Sequence, residues 1–323
     1  MIKVYPNGAI AYCPQNLVVT PPEKREVTKG WTQKATRNHT RFLYGVNNDK
    51  LTGYGYAYTL TVKDLPLTPK DWAKIRDTFL KRCRRLNLIR YHWLTEWQRR
   101  GVPHLHGCLY FESPLHISDI RKLIAAWCEV AAAYGAKFQA QDFKPITDQD
   151  GWSKYLSKHA SRGVGHYQRA NKPAAWTNTG RVWGHGGDWP VEETVLELPR
   201  HLYAQFRRLV KRWRLADSRQ ELPVDLDGRT ISPDSPMYRD MLPNGFRNGR
   251  RIRSARRLLK CNDKALSSVR GVSEWINQTL CFRMLEACEM IHQHNLNEKQ
   301  KRDVAHNAFV QSVLTGELNN ANR

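Results

Sequence analysis

The sequence predicts an α+β fold, an antiparallel sheet with flanking helices, continued by a basic and mainly helical C-terminal region. Three observations predict it. Aromatic and β-branched runs alternate with amphipathic stretches between residues 54 and 159, in the order β-α-β-β-α-β and then α. Two of those runs, 90–97 and 102–111, are separated by a short polar turn around Arg100, the pattern of a hairpin. Basic residues crowd further downstream: residues 200–260 hold 16 basic and 6 acidic side chains, in a chain of 323 residues with a net charge of +22.

Residues 31–46 set Trp31, Ala35, Phe42 and Leu43 on one side of a short helix. YGYAYTLTVK (54–63) is a strand by composition. Thr68 and Pro69 supply an N-cap and a proline at N1, opening a helix to about Leu86. RYHWLTEW (90–97) and VPHLHGCLYF (102–111) are the second and third strands. Ser118 caps a helix to about Tyr134, and residues 137–146 make a fourth strand. Thr147, Asp148, Gln149 and Asp150 read as a capping box opening a helix through Tyr155 to about His159. A tight hairpin between two helical crossovers gives a ferredoxin-like layout, shared with RNA-recognition modules. Helices on one face leave the other face of the sheet to build a site.

Composition bounds the function. A chain this basic expects a polyanionic partner, nucleic acid or an anionic membrane surface. No stretch approaches 18 apolar residues, which excludes a membrane span. The opening MIKVYPNGAIAYCPQ lacks the apolar run of a signal peptide. Seven cysteines, an odd number with no CxxC pair, argue for scattered reduced thiols in a cytosol. Eleven tryptophans and thirteen tyrosines suit a core, and also stacking on unpaired bases. No GxxxxGK[ST] phosphate loop is present, so duplex unwinding is left to supercoiling or to a separate helicase. Charge and motif density divide the chain into an N-terminal extension (1–50), a central domain (51–199) and the basic C-terminal region (200–323).

Chemistry concentrates on the hairpin. His104 and His106 flank Leu105 on a strand, so both imidazoles point to one face while Leu105, Leu109 and Phe111 point into the core. Two adjacent imidazoles can bind one divalent metal, and they can equally be half-exposed strand histidines. An odd-numbered turn centred near Arg100 sets Glu96 opposite His104 and adds a carboxylate to the pair; a slip of one residue would send it to the other face. His292 and His294 show the contrast: on a helix they lie about 200° apart and cannot share an ion. On the last helix, Tyr155 and Lys158 stand at i and i+3 and project together. A phenol with a pKa of about 10 becomes a usable nucleophile beside an ammonium group and a polarised electrophile. Arg99, Arg100 and Lys154 flank this constellation as phosphate contacts. Arg207, Arg208 and Arg212, in FRRLVKRWR (206–214), can track a DNA backbone.

These residues together resemble a known family. YHWLTEWQRRGVPHLHGCLYF is similar to the metal-binding hairpin of HUH endonucleases. WSKYLSKH resembles their Tyr-x-x-Lys motif, and YAYTLTV the first strand motif of rolling-circle replication initiators. The stretch from Trp31 to Leu51 and GRVWGHGGDWP extend the likeness to initiators of filamentous single-stranded DNA phages, over roughly residues 30–190. The resemblance implies the HUH nuclease fold for 51–199. It also implies a tyrosine that nicks one DNA strand, keeping a 5′-phosphotyrosine and releasing a 3′-OH. On it, Glu96, His104 and His106 hold Mg²⁺ or Mn²⁺, Tyr155 is the nucleophile, and Lys158 steadies the tyrosinate or the phosphate. It further implies single-stranded DNA and origin duplex as substrates, a host helicase and DNA polymerase as partners, no membrane, and the host bacterial cytoplasm as location. Gly151 stands where some initiators carry a second tyrosine, so the pattern is that of a single-tyrosine enzyme. A single-tyrosine transposase shares the chemistry, and a non-catalytic nucleic-acid-binding module shares the fold. A histidine-triad hydrolase needs a third alternating histidine, where this chain has Cys108. Residues 261–323 are neutral, and Trp275, Leu280, Leu285 and Met290 give them an amphipathic pattern suited to self-association or helicase docking.

Overall fold

The computed structural model describes residues 1–12, 28–147, 164–220 and 272–314. They fall into two compact units, both discontinuous in sequence. The larger takes its described residues from 5–7, 28–147 and 164–193; the smaller takes 1–4, 8–12, 194–220 and 272–314. The protein is a mixed α+β molecule of antiparallel sheets flanked by helices.

Two strands open the chain, β1 (Ile2–Tyr5) and β2 (Gly8–Ala11). The larger unit then runs through α1 (Gln33–Gly45), β3 (Tyr54–Thr61), α2 (Pro69–Cys83), β4 (Leu88–Trp97), β5 (Pro103–Phe111), α3 (Ile117–Val130), β6 (Asp142–Pro145), the one-turn helix α4 (Tyr167–Ala170) and β7 (Trp183–Gly187). Its sheet has the order β6-β3-β5-β4-β7, antiparallel at every pairing. The first four strands of that order are the split β-α-β arrangement that the sequence predicts.

Local chemistry explains the helices. Thr68 accepts from the Asp71 backbone N–H, Asp71 accepts in return from the Thr68 N–H, and Pro69 opens α2 at N1. At α3 the cap is His116 instead of Ser118. The His116 imidazole accepts from the Ser118 N–H, and Asp119 accepts from the His116 N–H. A histidine nitrogen therefore takes the place usually held by a hydroxyl, two residues earlier than expected. The helix also ends earlier, at Val130; a 3-10 turn follows over Ala132–Tyr134, closed by Gly135 at φ 66. The fourth strand shortens to Asp142–Pro145, because Phe138–Ala140 forms a 3-10 turn first. The helix expected from Thr147 through Tyr155 to His159 lies outside the described residues.

α2 and α3 pack on one face of the sheet. Trp72, Phe79 and Cys83 of α2 and Leu123 and Trp127 of α3 meet Tyr58, Leu60, Leu105, Leu109 and Phe111. The buried indoles keep their hydrogen bonds: Trp72 donates to Thr95 Oγ1 at 3.0 Å and Trp127 to the Thr61 carbonyl at 3.1 Å. The other face is not left bare, as the expected layout had it. α1, from the lead-in before the first sheet strand, covers its β4 side. There His39 and His92, both fully buried, hydrogen-bond at 3.0 Å within a ring cluster of Phe42, Trp183 and His185. Burial lowers the pKa of His185.

The smaller unit adds β8 (Thr194–Leu196), α5 (Arg200–Gln220), β9 (Val272–Trp275) and α6 (Gln278–Leu314) to the opening strands. Its sheet has the order β8-β1-β2-β9. Ile2, Val4, Phe206, Val210, Cys281 and Leu285 form its core. Glu274, 4% exposed, pairs with both Lys211 and Arg214. Burial lowers the Lys211 pKa, and Glu274 opposes that shift. The five described cysteines are free. No helix among the described residues is long and apolar enough to cross a membrane.

Candidate functional site

The hairpin turn decides what the site can be. Between Trp97 and its partner Pro103 lie five residues centred on Arg100. The Gln98 N–H donates to the Val102 carbonyl at 2.9 Å, and the Gly101 N–H to the Gln98 carbonyl at 2.9 Å. Gly101 takes φ 80, a conformation in which a side chain would be strained. With that turn closed, Glu96 lies directly opposite His104. On the other side of β5, Thr59 of β3 lies opposite His106, and Thr61 opposite His104. Cross-strand partners share a face, so the carboxylate, the two imidazoles and the threonines emerge together, away from α2 and α3.

The geometry is specific. Ligand atoms of Glu96, His104 and His106 all lie within 4.8 Å of one another. Thr59 Oγ1 is hydrogen-bonded to His106 Nδ1 at 3.0 Å, and His106 Nε2 stands 3.8 Å from Glu96 Oε2. The hydroxyl fixes the ring and turns Nε2 toward the carboxylate. The rings of His104 and His106 are 4.4 Å apart and nearly perpendicular. Glu96 is fully buried, His104 is 6% exposed, and the His106 side chain reaches the surface at 13%. A separation of 3.8 Å is too long for a hydrogen bond. It suits two ligands of one cation held at about 2.1 Å from each. Two imidazoles and a carboxylate, with positions left over, are a donor set that Mn²⁺ accepts well and Mg²⁺ tolerates.

A fourth residue joins them that sequence reasoning missed. Arg169 projects from α4 with its side chain fully buried, and its Nε stands 3.8 Å from Glu96 Oε1. Its guanidinium lies 3.9 Å from the Trp31 ring centroid and donates to Thr36 Oγ1 at 3.3 Å. Trp31 in turn donates to the Thr95 carbonyl at 2.8 Å, beside Glu96. Each carboxylate oxygen thus faces a different cationic or basic group. No local signal in the sequence marks Arg169, which is one arginine in a short turn-rich stretch. Trp183 packs in the ring cluster of α1, 5.1 Å from His39.

The remaining predicted residues separate. Tyr155, Lys158 and Lys154 lie outside the described residues. Arg99 is exposed at the turn, its guanidinium 5.5 Å from the Tyr167 ring centroid. Arg100 donates to Gln98 Oε1 and to the Val62 carbonyl, tying the turn to the end of β3. In α5, Arg207 is buried and lies 5.3 Å from the Tyr203 ring, while Arg208 and Arg212 are exposed one turn apart.

Comparison with known proteins agrees with this placement. Residues 55–179, which begin in β3 and span the hairpin, match the model of the replication-associated protein ORF2 family. Two proteins of Xylella fastidiosa that carry the name of putative replication proteins are similar over most of their length. The one from strain 9a5c is 40% identical over 289 residues, 85% of this chain and 92% of its own. The one from strain Temecula1 is 41% identical over 278 residues, 83% of this chain and 94% of its own. The replication-associated protein of Pseudomonas phage Pf3 is 40% identical over 269 residues, 82% of this chain and 87% of its own. No solved structure matches. A hairpin that sets a carboxylate against two histidines sits inside the matched segment, and the likeness continues through both units: the chain belongs to the replication-associated protein ORF2 family.

Proposed function

We propose that the protein initiates rolling-circle DNA replication by nicking and rejoining one strand through Tyr155, with Glu96, His104 and His106 holding Mg²⁺ or Mn²⁺. One observation carries the reading: Glu96, His104 and His106 converge within 4.8 Å on one sheet face, inside the segment that matches the replication family. When bound, the cation draws charge from a non-bridging phosphate oxygen as the transition state forms.

The chain's own residues do the rest. Thr59 fixes the His106 ring, and Arg169 holds one oxygen of Glu96 while leaving the other toward the histidines. Tyr155 Oη attacks the scissile phosphorus and loses its proton. The bond from phosphorus to the 3′ oxygen breaks, and that oxygen leaves as a 3′-OH after taking a proton. Lys158 steadies the tyrosinate, and Lys154, Arg99 and Arg100 neutralise neighbouring phosphates. The phosphotyrosyl bond conserves the energy of the broken bond, so the transfer needs no ATP. The 3′-OH primes a host polymerase, and a host helicase opens the origin duplex in the bacterial cytoplasm.

The test is direct. Labelled single strands carrying the origin region are incubated with protein and Mn²⁺ and run on a denaturing gel. A protein–DNA adduct that disappears with Tyr155→Phe and with EDTA is the expected result. Tight binding with no adduct on any strand would replace this reading with that of a non-catalytic binding module.

A further inference from the structure

We infer that Tyr167 and Arg99 form a nucleotide subsite beside the candidate site, with an unpaired base stacked on the Tyr167 ring and its phosphate held by Arg99. The inference rests on the proposed reading only in taking a DNA strand as the ligand. Its ground is the one-turn helix α4. Residues two apart on a helix point to opposite sides. Arg169 accordingly turns inward to Glu96, with a fully buried side chain, while Tyr167 turns outward and is 45% exposed. A tyrosine so exposed next to a buried cluster of metal-ligand type is not a core residue.

The surroundings form a built recess. Arg99, Tyr167, Ala170 and Asn171 line an open concavity of about 530 Å³, room for a nucleotide. None of the four is acidic. Asn171 Nδ2 donates to the Gln98 and Arg99 carbonyls at 2.8 and 2.6 Å, which locks α4 to the hairpin turn. The floor is therefore fixed relative to Glu96 by two routes, the Asn171 clamp outside and Arg169 inside. The His166 ring lies 4.8 Å from that of Tyr167 and tilted to it, which limits the rotation of the tyrosine. The Arg99 guanidinium, 5.5 Å from the ring centroid, is within cation–π reach and loose enough to turn to a phosphate. An aromatic face with an adjacent cation is how sequence-tolerant single-strand grooves hold a base.

Full-length protein is titrated by fluorescence anisotropy with labelled (dT)20 and with an abasic strand of equal length. Tyr167→Ala is expected to weaken binding of (dT)20 about tenfold and of the abasic strand less than about twofold. Tyr167→Leu, which keeps apolar bulk without a π face, behaves as Tyr167→Ala. Tyr167→Phe stays within about twofold of the parent on both strands. Arg99→Gln weakens both strands alike and lowers the salt slope by about one. Equal loss on both strands, or no loss for Tyr167→Ala and Tyr167→Leu, overturns the subsite. Loss with Tyr167→Phe also overturns it, because a role for the hydroxyl would then replace stacking. The adduct gel separates this inference from the broader one. Adduct formation that persists while Tyr167 variants bind (dT)20 normally removes the subsite alone. A base-dependent Tyr167 effect with no adduct on any strand removes the nicking reading and leaves the subsite.

Discussion

Two buried carboxylates divide the chemistry of this protein. Glu274, in the smaller unit, is in direct contact with Lys211 and Arg214, two cations from one helix. Glu96, in the larger unit, faces Arg169 and His106, each at 3.8 Å, with His104 beside them. The first carboxylate is closed: its charge is matched by partners that hold α5 against β9. The second stands at a spacing that suits a shared cation better than a hydrogen bond. Similar ingredients, a buried acid and basic side chains, serve structure when they touch and can serve chemistry when they are held apart. What holds them apart is the rigid register of three strands.

The contrast can be broken from either side. The largest effect is expected for Glu96→Gln, which keeps shape and removes the charge. Mn²⁺ binding by calorimetry should be lost, and nicking should fall by about a thousandfold or more, the several kcal/mol a metal contributes to such a step. Nicking at the parent rate would remove Glu96 from the metal set. Glu274→Ala should leave Mn²⁺ binding within about twofold and instead cost about 3 kcal/mol in urea unfolding, since it strands two largely buried cations. A loss of Mn²⁺ affinity without loss of stability would reverse the assignment of roles. Thr59→Val sharpens the comparison: it should lower Mn²⁺ affinity by about tenfold with little change in stability, because only the orientation of His106 is lost. Thr68→Ala, at the cap of α2 and remote from either carboxylate, should cost about 1 kcal/mol and leave nicking unchanged.

Much of the larger unit is legible from local pattern. The cap at Thr68 and Pro69 is realised at α2, and the two hairpin strands form with the turn centred on Arg100. That turn is short, so its length alone sets the parity that puts Glu96 opposite His104. The cap at His116 is not legible, because imidazole rarely does a hydroxyl's work there. Nor is the small sheet. The strands Ile2–Tyr5 and Gly8–Ala11 are four residues each, too short to show a period, and their partners lie near residues 195 and 274. The inward face of α5 is hidden for a related reason. Its run of cations looks uniformly solvated in sequence, yet Arg207, Lys211 and Arg214 face the core side while Arg208 and Arg212 stay in water.

Strand alternation, the helix cap at Thr68, the hairpin and hence the meeting of Glu96 with His104 and His106 follow from the order of residues alone. All of these are local, set by side-chain period and turn length within a few residues. Three contacts do not follow from it: Thr59 steadying His106, Arg169 reaching Glu96, and α1 closing over the second face. They join residues tens of positions apart, and no periodic trace of them runs along the chain. They exist because packing of the sheet and its helices brings the chain back to the same place.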